Sequence, residues 1–347
     1  MNIIFDCERM KYPYTGLFEY CEQLGKSLQT HLTEDDDISY YLPEKYKVIF
    51  GKREHIPLKK IHKLFPVGIR RPAVWHTTYQ LSRYMKNGGR KAKKALTVHD
   101  LNFLYEKTSK GKINKYLKAL QRNIDKSDHI IAISEYAKTD LVNHLKINCP
   151  LSVIYNGCNV AEFPEFDTPA YRPVHPFLFS LGTVECKKNF HVLPCLLKGN
   201  DYELIIAGKR NEDYVEKIMA EAAKHGVSER VKLTGPVTGE DKYWYLKNCA
   251  AFLFPSLAEG FGIPPLEAMH VGKPVFLSTL TSLPEIGGNH AYYFHDFDPD
   301  NLCATFESGM NHYAATRPEM SIIQHAASFN WEKSASEYMK IYKSILE

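Results

Sequence analysis

The residues with the clearest chemical potential lie in one run, Glu259-Gly260-Phe261-Gly262-Ile263-Pro264-Pro265-Leu266-Glu267-Ala268-Met269. It follows an apolar, strand-like segment and opens a helical pattern. Pro264 and Pro265 suit the first helical turn, where missing amide hydrogens cost least. Gly260 and Gly262 allow backbone amides to approach a ligand closely, and a helix N-terminus favours a negative group. Glu259 and Glu267 bracket the loop, one at the strand end and the other a turn into the helix. Carboxylates so placed can accept hydrogen bonds from sugar hydroxyls. A plain strand–turn–helix with solvated glutamates fits the same spacing.

The elements that must hold this loop alternate between strand and helix. In the first half, apolar or β-branched runs predict strands at Ile3–Phe5, Ile38–Leu42, Ala73–His76, Leu96–His99, His129–Ile133 and Leu151–Tyr155. Residues 18–30 read as a helix, and Ile113, Leu117, Leu120 and Ile124 share one helical face. Ser134 sits where the N-cap of a third helix should be. In the second half strands are expected at Phe177–Leu181, Glu203–Ala207, Val231–Leu233, Ala251–Phe254, Pro274–Leu277 and Ala291–Phe294, with helices at 211–225, 239–248 and 264–271. Such alternation predicts an α/β protein with two Rossmann-like domains, each a parallel sheet with helices on both faces. Ligands are expected at the carboxyl ends of the strands, in the interdomain cleft that the two sheets face. Pro164, Pro169, Pro173 and Pro176 mark a linker. The expected domains are therefore 1–170 and 171–329, with an amphipathic helix over 330–347 that crosses back to the first.

At 347 residues the chain suits two domains rather than one core. Its eight cysteines lie singly, with no C-x-x-C pair and no histidine at zinc spacing, which predicts reduced, semi-buried thiols. Apolar runs are strand-sized, far below the roughly 18 residues of a membrane span, and the start reads directly as a strand, so a cytoplasmic protein is expected. Residues 1–172 carry 28 Lys and Arg against 19 Asp and Glu, and the rest carry 16 against 21. That asymmetry points to an anionic partner for the first half. The excess between Lys86 and Lys126, interleaved with Ile113, Leu117 and Leu120, suits peripheral contact with an anionic membrane at its inner face, or an ordinary solvated helix face. No groove-reading motif accompanies the charge, so nucleic acid is not expected.

The run Glu259-x7-Glu267 resembles the E-x7-E signature of retaining GT-B glycosyltransferases, family 4 in particular. Leu181-Gly182-Thr183-Val184-Glu185-Cys186-Lys187-Lys188-Asn189 is similar to that family's loop after the first strand of the donor domain. Ile206-Ala207-Gly208, Leu233-Thr234-Gly235 and Ser282-Leu283-Pro284-Glu285 match further segments, as do Thr97-Val98-His99-Asp100-Leu101, Ile133-Ser134-Glu135-Tyr136-Ala137-Lys138 and Tyr155-Asn156-Gly157 in the first half. The similarity runs over residues 1–345 in the expected order.

The resemblance implies transfer of a hexose, with mannose from GDP-mannose the first expectation and a UDP-hexose the second. The acceptor would be a glycan or lipid-linked sugar in polysaccharide or lipopolysaccharide-type assembly. Glu259 would face the donor sugar, with Gly260, Phe261 and Gly262 near sugar and phosphates, and Glu267 would accept from the ribose hydroxyls. Lys188 would neutralise charge on the departing diphosphate, with Gly182 keeping the loop close. Many members carry Arg after this glycine. Here Thr183 stands there, and Lys187 or Lys209 would supply a second cation, or one suffices. His99, which alone would read as a structural strand-end histidine, would face the donor sugar, and Asp100 would orient its loop. Gly16 belongs to the loop after the first strand, where members often carry two adjacent glycines, and Tyr12 and Tyr14 would stack on an acceptor or simply pack. No side-chain nucleophile, cofactor or metal is implied. A GT-B epimerase or phosphorylase, or a binding module, shares the fold. A nicotinamide enzyme would need G-x-G-x-x-G after the first strand, and residues 6–17 contain one glycine.

Overall fold

The structure, a computed structural model, describes all residues except Tyr14, Lys107, Ala161 and residues 165–167. The chain begins with β1 (Asn2–Asp6), α1 (Gly16–Thr30), β2 (Asp37–Leu42), β3 (His55–Pro57), β4 (Val74–Thr77), β5 (Lys93–Val98), α2 (Lys110–Ile124), β6 (His129–Ala132), α3 (Glu135–His144) and β7 (Leu151–Val153). Among the described residues these strands form a seven-stranded parallel sheet in the order β3-β2-β1-β4-β5-β6-β7. β1, β2, β4 and β6 are almost wholly buried, which is why they read as continuous apolar runs rather than alternating ones. β3 escapes the sequence reading because it is three residues long and ends on proline. Pro57 is tolerated because β3 lies at the edge of the sheet, where a missing amide hydrogen breaks no ladder.

A second sheet follows, with β8 (Phe177–Leu181), β9 (Glu203–Ala207), α4 (Glu212–Lys224), β10 (Val231–Gly235), α5 (Gly239–Asn248), β11 (Ala251–Phe254), α6 (Ile263–His270), β12 (Val275–Ser278), α7 (Leu283–Gly287), β13 (Tyr292–Phe294), α8 (Pro299–Thr316) and α9 (Glu319–Ala327). Its strand order, again parallel, is β10-β9-β8-β11-β12-β13. Leu178, Phe190, Leu204, Ile206, Ile218, Leu253 and Phe276 are buried together in its core. Thr238 and Asp241 close a reciprocal capping box on α5.

The last helix, α10 (Trp331–Ser344), returns to the first sheet. Asn330 caps it by accepting the Lys333 amide at 2.8 Å. Tyr338 and Tyr342 enter a buried polar chain: the Tyr20 hydroxyl lies 2.8 Å from that of Tyr338 and 3.1 Å from Thr97 Oγ1. His76 bridges Thr97 at 2.8 Å and the Tyr342 hydroxyl at 2.6 Å. Gly157 explains its own identity here, because a Cβ on it would lie 2.2 Å from the Trp331 backbone nitrogen.

The chain thus forms two compact units, Met1–Gly157 with Phe329–Glu347, and Cys158–Ser328. The division falls ahead of the position expected from the prolines because that segment is strapped onto the second sheet. The Ala170 amide donates to Asp241 at 2.9 Å, the Tyr171 amide to the Tyr245 hydroxyl at 2.8 Å, and the Val174 amide to Glu203 at 2.6 Å.

Candidate active site

In the second unit the site grows from three glycines at the carboxyl ends of adjacent strands. Gly182 follows β8, Gly208 follows β9 and Gly235 ends β10. The Gly182 amide donates to Ala207 O at 2.9 Å and the Gly208 amide to Gly235 O at 2.8 Å. Gly208 adopts φ +141°, and a Cβ there would sit 2.0 Å from the Gly182 carbonyl oxygen. Gly182, at φ +153°, forms the floor under Lys188, whose Cε lies 3.2 Å from where a Cβ would be. Backbone crowding therefore dictates Gly208, the lysine stem fills the space above Gly182, and Gly235 is set by its φ of +75° alone.

Lys188 ends a short 3₁₀ turn, and Asn189 reverses the chain in the left-handed region, which asparagine tolerates better than most residues. The Lys188 side chain is largely buried; its Nζ lies 2.5 Å from Glu259 Oε1 and 4.7 Å from the Phe254 ring centroid. The Ser256 hydroxyl donates to the same oxygen at 2.6 Å. Both bonds fall on Oε1, so Oε2 keeps its lone pairs for a further donor, and the ammonium retains two of its three protons for other acceptors.

The segment after β12 holds the glutamate loop from the other side. The Glu259 amide donates to Thr281 Oγ1 at 3.0 Å, and the Ser282 hydroxyl donates to the Phe261 carbonyl at 2.7 Å. Thr281 stands at φ +57°, a conformation that costs a β-branched residue on the order of 1–3 kcal/mol and concentrates at functional sites. Gly262 caps α6 at φ +128°, and Phe261 is buried. Gly260 lies between them, half-buried. Glu267, one turn into α6, is buried and takes the Lys242 ammonium on Oε1 at 2.5 Å.

Lys188, Glu259, Gly182 and the Phe261–Gly262 loop are thus brought together, and Glu267 stands further along α6 with Lys242. Of the two candidates for a second cation, Lys187 pairs with Glu185 at 3.3 Å, and Lys209 is exposed, its backbone carbonyl accepting the Val184 amide at 2.8 Å. Thr183 is exposed. Sequence reasoning missed Lys242, Ser256 and Thr281. The only signals were a lysine in a helix and hydroxyl residues just past two strands, patterns that fit ordinary caps equally well.

In the first unit His99 follows β5 directly. It is buried, its Nε2 donates to the Thr78 carbonyl at 2.8 Å, and Tyr20 meets its ring edge-on at 4.6 Å. Burial pushes its pKa down to about 4 against the opposing effect of the Thr78 carbonyl, with the Arg9 charge lowering it further. The ring is neutral at pH 7, with Nε2 protonated and Nδ1 an acceptor. Asp100 accepts the Asn102 amide at 3.0 Å, while its own carbonyl takes Gln80 Nε2 at 2.9 Å, so the carboxylate shapes its own loop. Tyr12 is half-exposed, with Arg9 at 4.6 Å and Lys11 at 5.0 Å from its ring centroid. Arg9 also lies 4.2 Å from the Tyr79 ring centroid. The sequence reading overlooked Arg9, a cation just past the first strand. Tyr14 lies outside the described residues. Gly16 opens α1 behind the Thr15 cap, and a Cβ on it would meet nothing within 4 Å. On α2, Ile113 and Leu117 pack against the core cluster that holds Leu120, so the apolar half of the expected basic–apolar interleaving is spent internally.

His76 and His99 make a prediction about acid. Burial pushes His76 down to about 3, with the His99 charge adding to it. Both rings stay neutral in the fold while the unfolded chain protonates them near 6.5, so the unfolded state binds more protons between about pH 4 and 6.5. Stability contributed by these histidines is present above pH 6.5 and lost as pH falls toward 4. Calorimetric unfolding near pH 5.5 is expected to take up close to two protons more than unfolding of His76→Phe/His99→Phe.

Comparison with known proteins fits this geometry. The family model for glycosyl transferases group 1 matches residues 169–320, and that for glycosyltransferase family 4 matches residues 35–162. The chain is 28% identical over 241 residues to the serotype-specific mannosyltransferase WbdA of Escherichia coli, covering 64% of this chain and 29% of that protein. It therefore spans less than a third of that relative. It is 24% identical to the O-antigen chain mannosyltransferase B of Escherichia coli, covering 99% and 100% of the two chains. Among solved structures, the sucrose-phosphate synthase of Thermosynechococcus elongatus superposes with a TM-score of 0.78 at 17% identity, covering 99% of both chains. Anabaena HepE, solved with UDP and glucose, gives 0.73 at 15%, covering 99% and 100%. Two parallel Rossmann-like sheets and these neighbours define a GT-B glycosyltransferase fold. Both halves of the chain are thus similar to glycosyltransferases, the first to the family 4 model and the second to the group 1 model.

Proposed function

We propose that the second unit binds a nucleotide sugar at the Lys188–Glu259–Glu267 site and that the protein transfers its hexose, with retention, to a glycan or lipid-linked acceptor in O-antigen or related polysaccharide assembly. The observation that carries this is the buried lysine–glutamate pair seated on the glycine floor. It sets a cation beside a carboxylate with open acceptor capacity, at strand ends where α/β proteins bind ligands. Lys188 stabilises charge developing on the diphosphate, Glu259 Oε2 accepts from hexose hydroxyls, and Glu267 accepts from the ribose. His99 Nδ1 accepts a substrate hydroxyl in the first unit.

In the step itself the bond from the anomeric carbon to the phosphate oxygen breaks and a bond to the acceptor oxygen forms on the same face. The acceptor proton passes to the departing phosphate oxygen, and nucleoside diphosphate leaves. Charge neutralisation by Lys188 replaces a divalent cation in this reading, so activity is expected to survive EDTA. Mannose from GDP-mannose is the preferred donor, the sugar supported by the names of the two Escherichia coli relatives. A UDP-hexose is the second choice, supported by the ligands of HepE.

A thermal-shift panel of GDP-, UDP- and dTDP-sugars tests this. A donor at 100 times its Kd stabilises by about 2.7 kcal/mol, and GDP-mannose is expected to give the largest rise in Tm, followed by slow release of GDP. A panel without any shift would remove the donor assignment. NMR of the product is expected to show the donor's anomeric configuration.

A further inference from the structure

From His55 to His99 the chain carries eleven Lys and Arg and not one Asp or Glu. Part of that stretch, residues 58–71 between β3 and β4, is a surface loop pinned at three points. Leu58 and Ile69 pack against the core cluster of Ile4, Tyr41, Trp75 and Tyr84. Between them His62 is buried, with Nδ1 3.0 Å from the Tyr41 hydroxyl. Around His62 the backbone makes a helical turn, the Leu64 and Phe65 amides donating to the Ile61 carbonyl at 2.8 and 2.9 Å.

With His62 drawn inward, the rest of the turn faces water. Ile61, Leu64, Phe65 and Val67 are 52%, 68%, 62% and 67% exposed. Ile61, Leu64 and Phe65 stand at i, i+3 and i+4, and so share one side of the turn. Lys59, Lys60, Arg70 and Arg71 are exposed around them, and Lys86 Nζ reaches the Leu64 carbonyl at 3.3 Å. Among the described residues Arg70 pairs with Glu54 at 3.7 Å.

We infer that loop 58–71 docks the protein on an anionic lipid bilayer, its apolar tip entering the acyl boundary and its cations resting among the headgroups. Clustered large apolar side chains on a surface mark an interaction site, and a ring in which cations outnumber acids matches lipid of negative charge. A second copy of the chain on this face would set like charges against each other. The α2 lysines offer charge alone. The inference is independent of the donor assignment, because docking needs neither donor nor acceptor.

Flotation of the full chain with vesicles tests it. Binding to phosphatidylcholine vesicles containing phosphatidylglycerol is expected to exceed binding to phosphatidylcholine alone by tenfold or more, and to weaken in high salt. Leu64→Ser/Phe65→Ser should cut the partition at least tenfold with Tm unchanged, since both side chains already stand in water. Lys115→Ser/Lys118→Ser, on α2, should change it less than threefold. Phe65→Trp should give emission that shifts to the blue on adding anionic vesicles. Absence of flotation would overturn the proposal. So would indifference to Leu64→Ser/Phe65→Ser, loss confined to the α2 variant, or a solution dimer that Leu64→Ser/Phe65→Ser dissolves while vesicle binding persists.

Discussion

Lys188→Ala is expected to lower turnover by about 10²–10³, the usual cost of deleting one preorganised group that meets charge developing in a transition state. The same change strands the Glu259 carboxylate, which loses a partner at 2.5 Å inside a largely buried pocket. Breaking one half of such a pair costs about 3–5 kcal/mol, whereas replacing both halves can be neutral. Stability and catalysis therefore separate cleanly. Lys188→Met/Glu259→Gln should regain most of the Tm lost by Lys188→Ala while turnover stays at least as low. Recovery of turnover with Tm would make the pair structural. Lys188→Arg is no conservative test, because Gly182 and the Phe254 ring confine the side chain and a guanidinium is broader than an ammonium.

Gly208→Ala is the second large effect, and it acts through backbone. The new methyl would meet the Gly182 carbonyl at 2.0 Å, and φ +141° is unfavourable for any L residue. No rotamer change relieves a backbone clash, so a loss of about 3 kcal/mol is expected. Because Gly182 is the floor beneath Lys188, the residual folded protein should also lose donor affinity. Gly16→Ala provides the control. It belongs to a glycine position implied by resemblance, yet a Cβ there meets nothing within 4 Å, and a change below about 1 kcal/mol is expected. Urea unfolding of both variants checks the contrast. Equal losses would mean that steric crowding does not explain the glycines.

What was legible in the chain follows from how each feature is encoded. Parallel strands buried on both faces advertise themselves as apolar runs, so β8, β9 and β11 were read to the residue. β3 depends on its neighbour β2 for its conformation and carries no signal of its own. Composition puts the border at 170/171 and the compact units divide at 157/158, since prolines at 164–176 look like a free linker until Glu203 and Asp241 are seen gripping the backbone there. In the site, Glu259 and Glu267 stood out because glycines and prolines surround them in sequence, and Lys188 came only from the resemblance of its loop to that of family 4. Lys242 and Thr281 did not, because they reach their glutamates only through tertiary packing. The basic first half was visible as charge, but its apolar partners were assigned to α2, where helical periodicity hides the fact that Ile113 and Leu117 face the core.

Everything proposed for catalysis rests on a nucleotide sugar being held by the acids and the lysine of the second unit. Calorimetric titration of GDP-mannose into the wild-type protein, Lys188→Ala and Glu267→Ala tests that directly. The account predicts a single site in the wild type, with Kd raised at least tenfold in each variant. Equal affinity in all three proteins would contradict it.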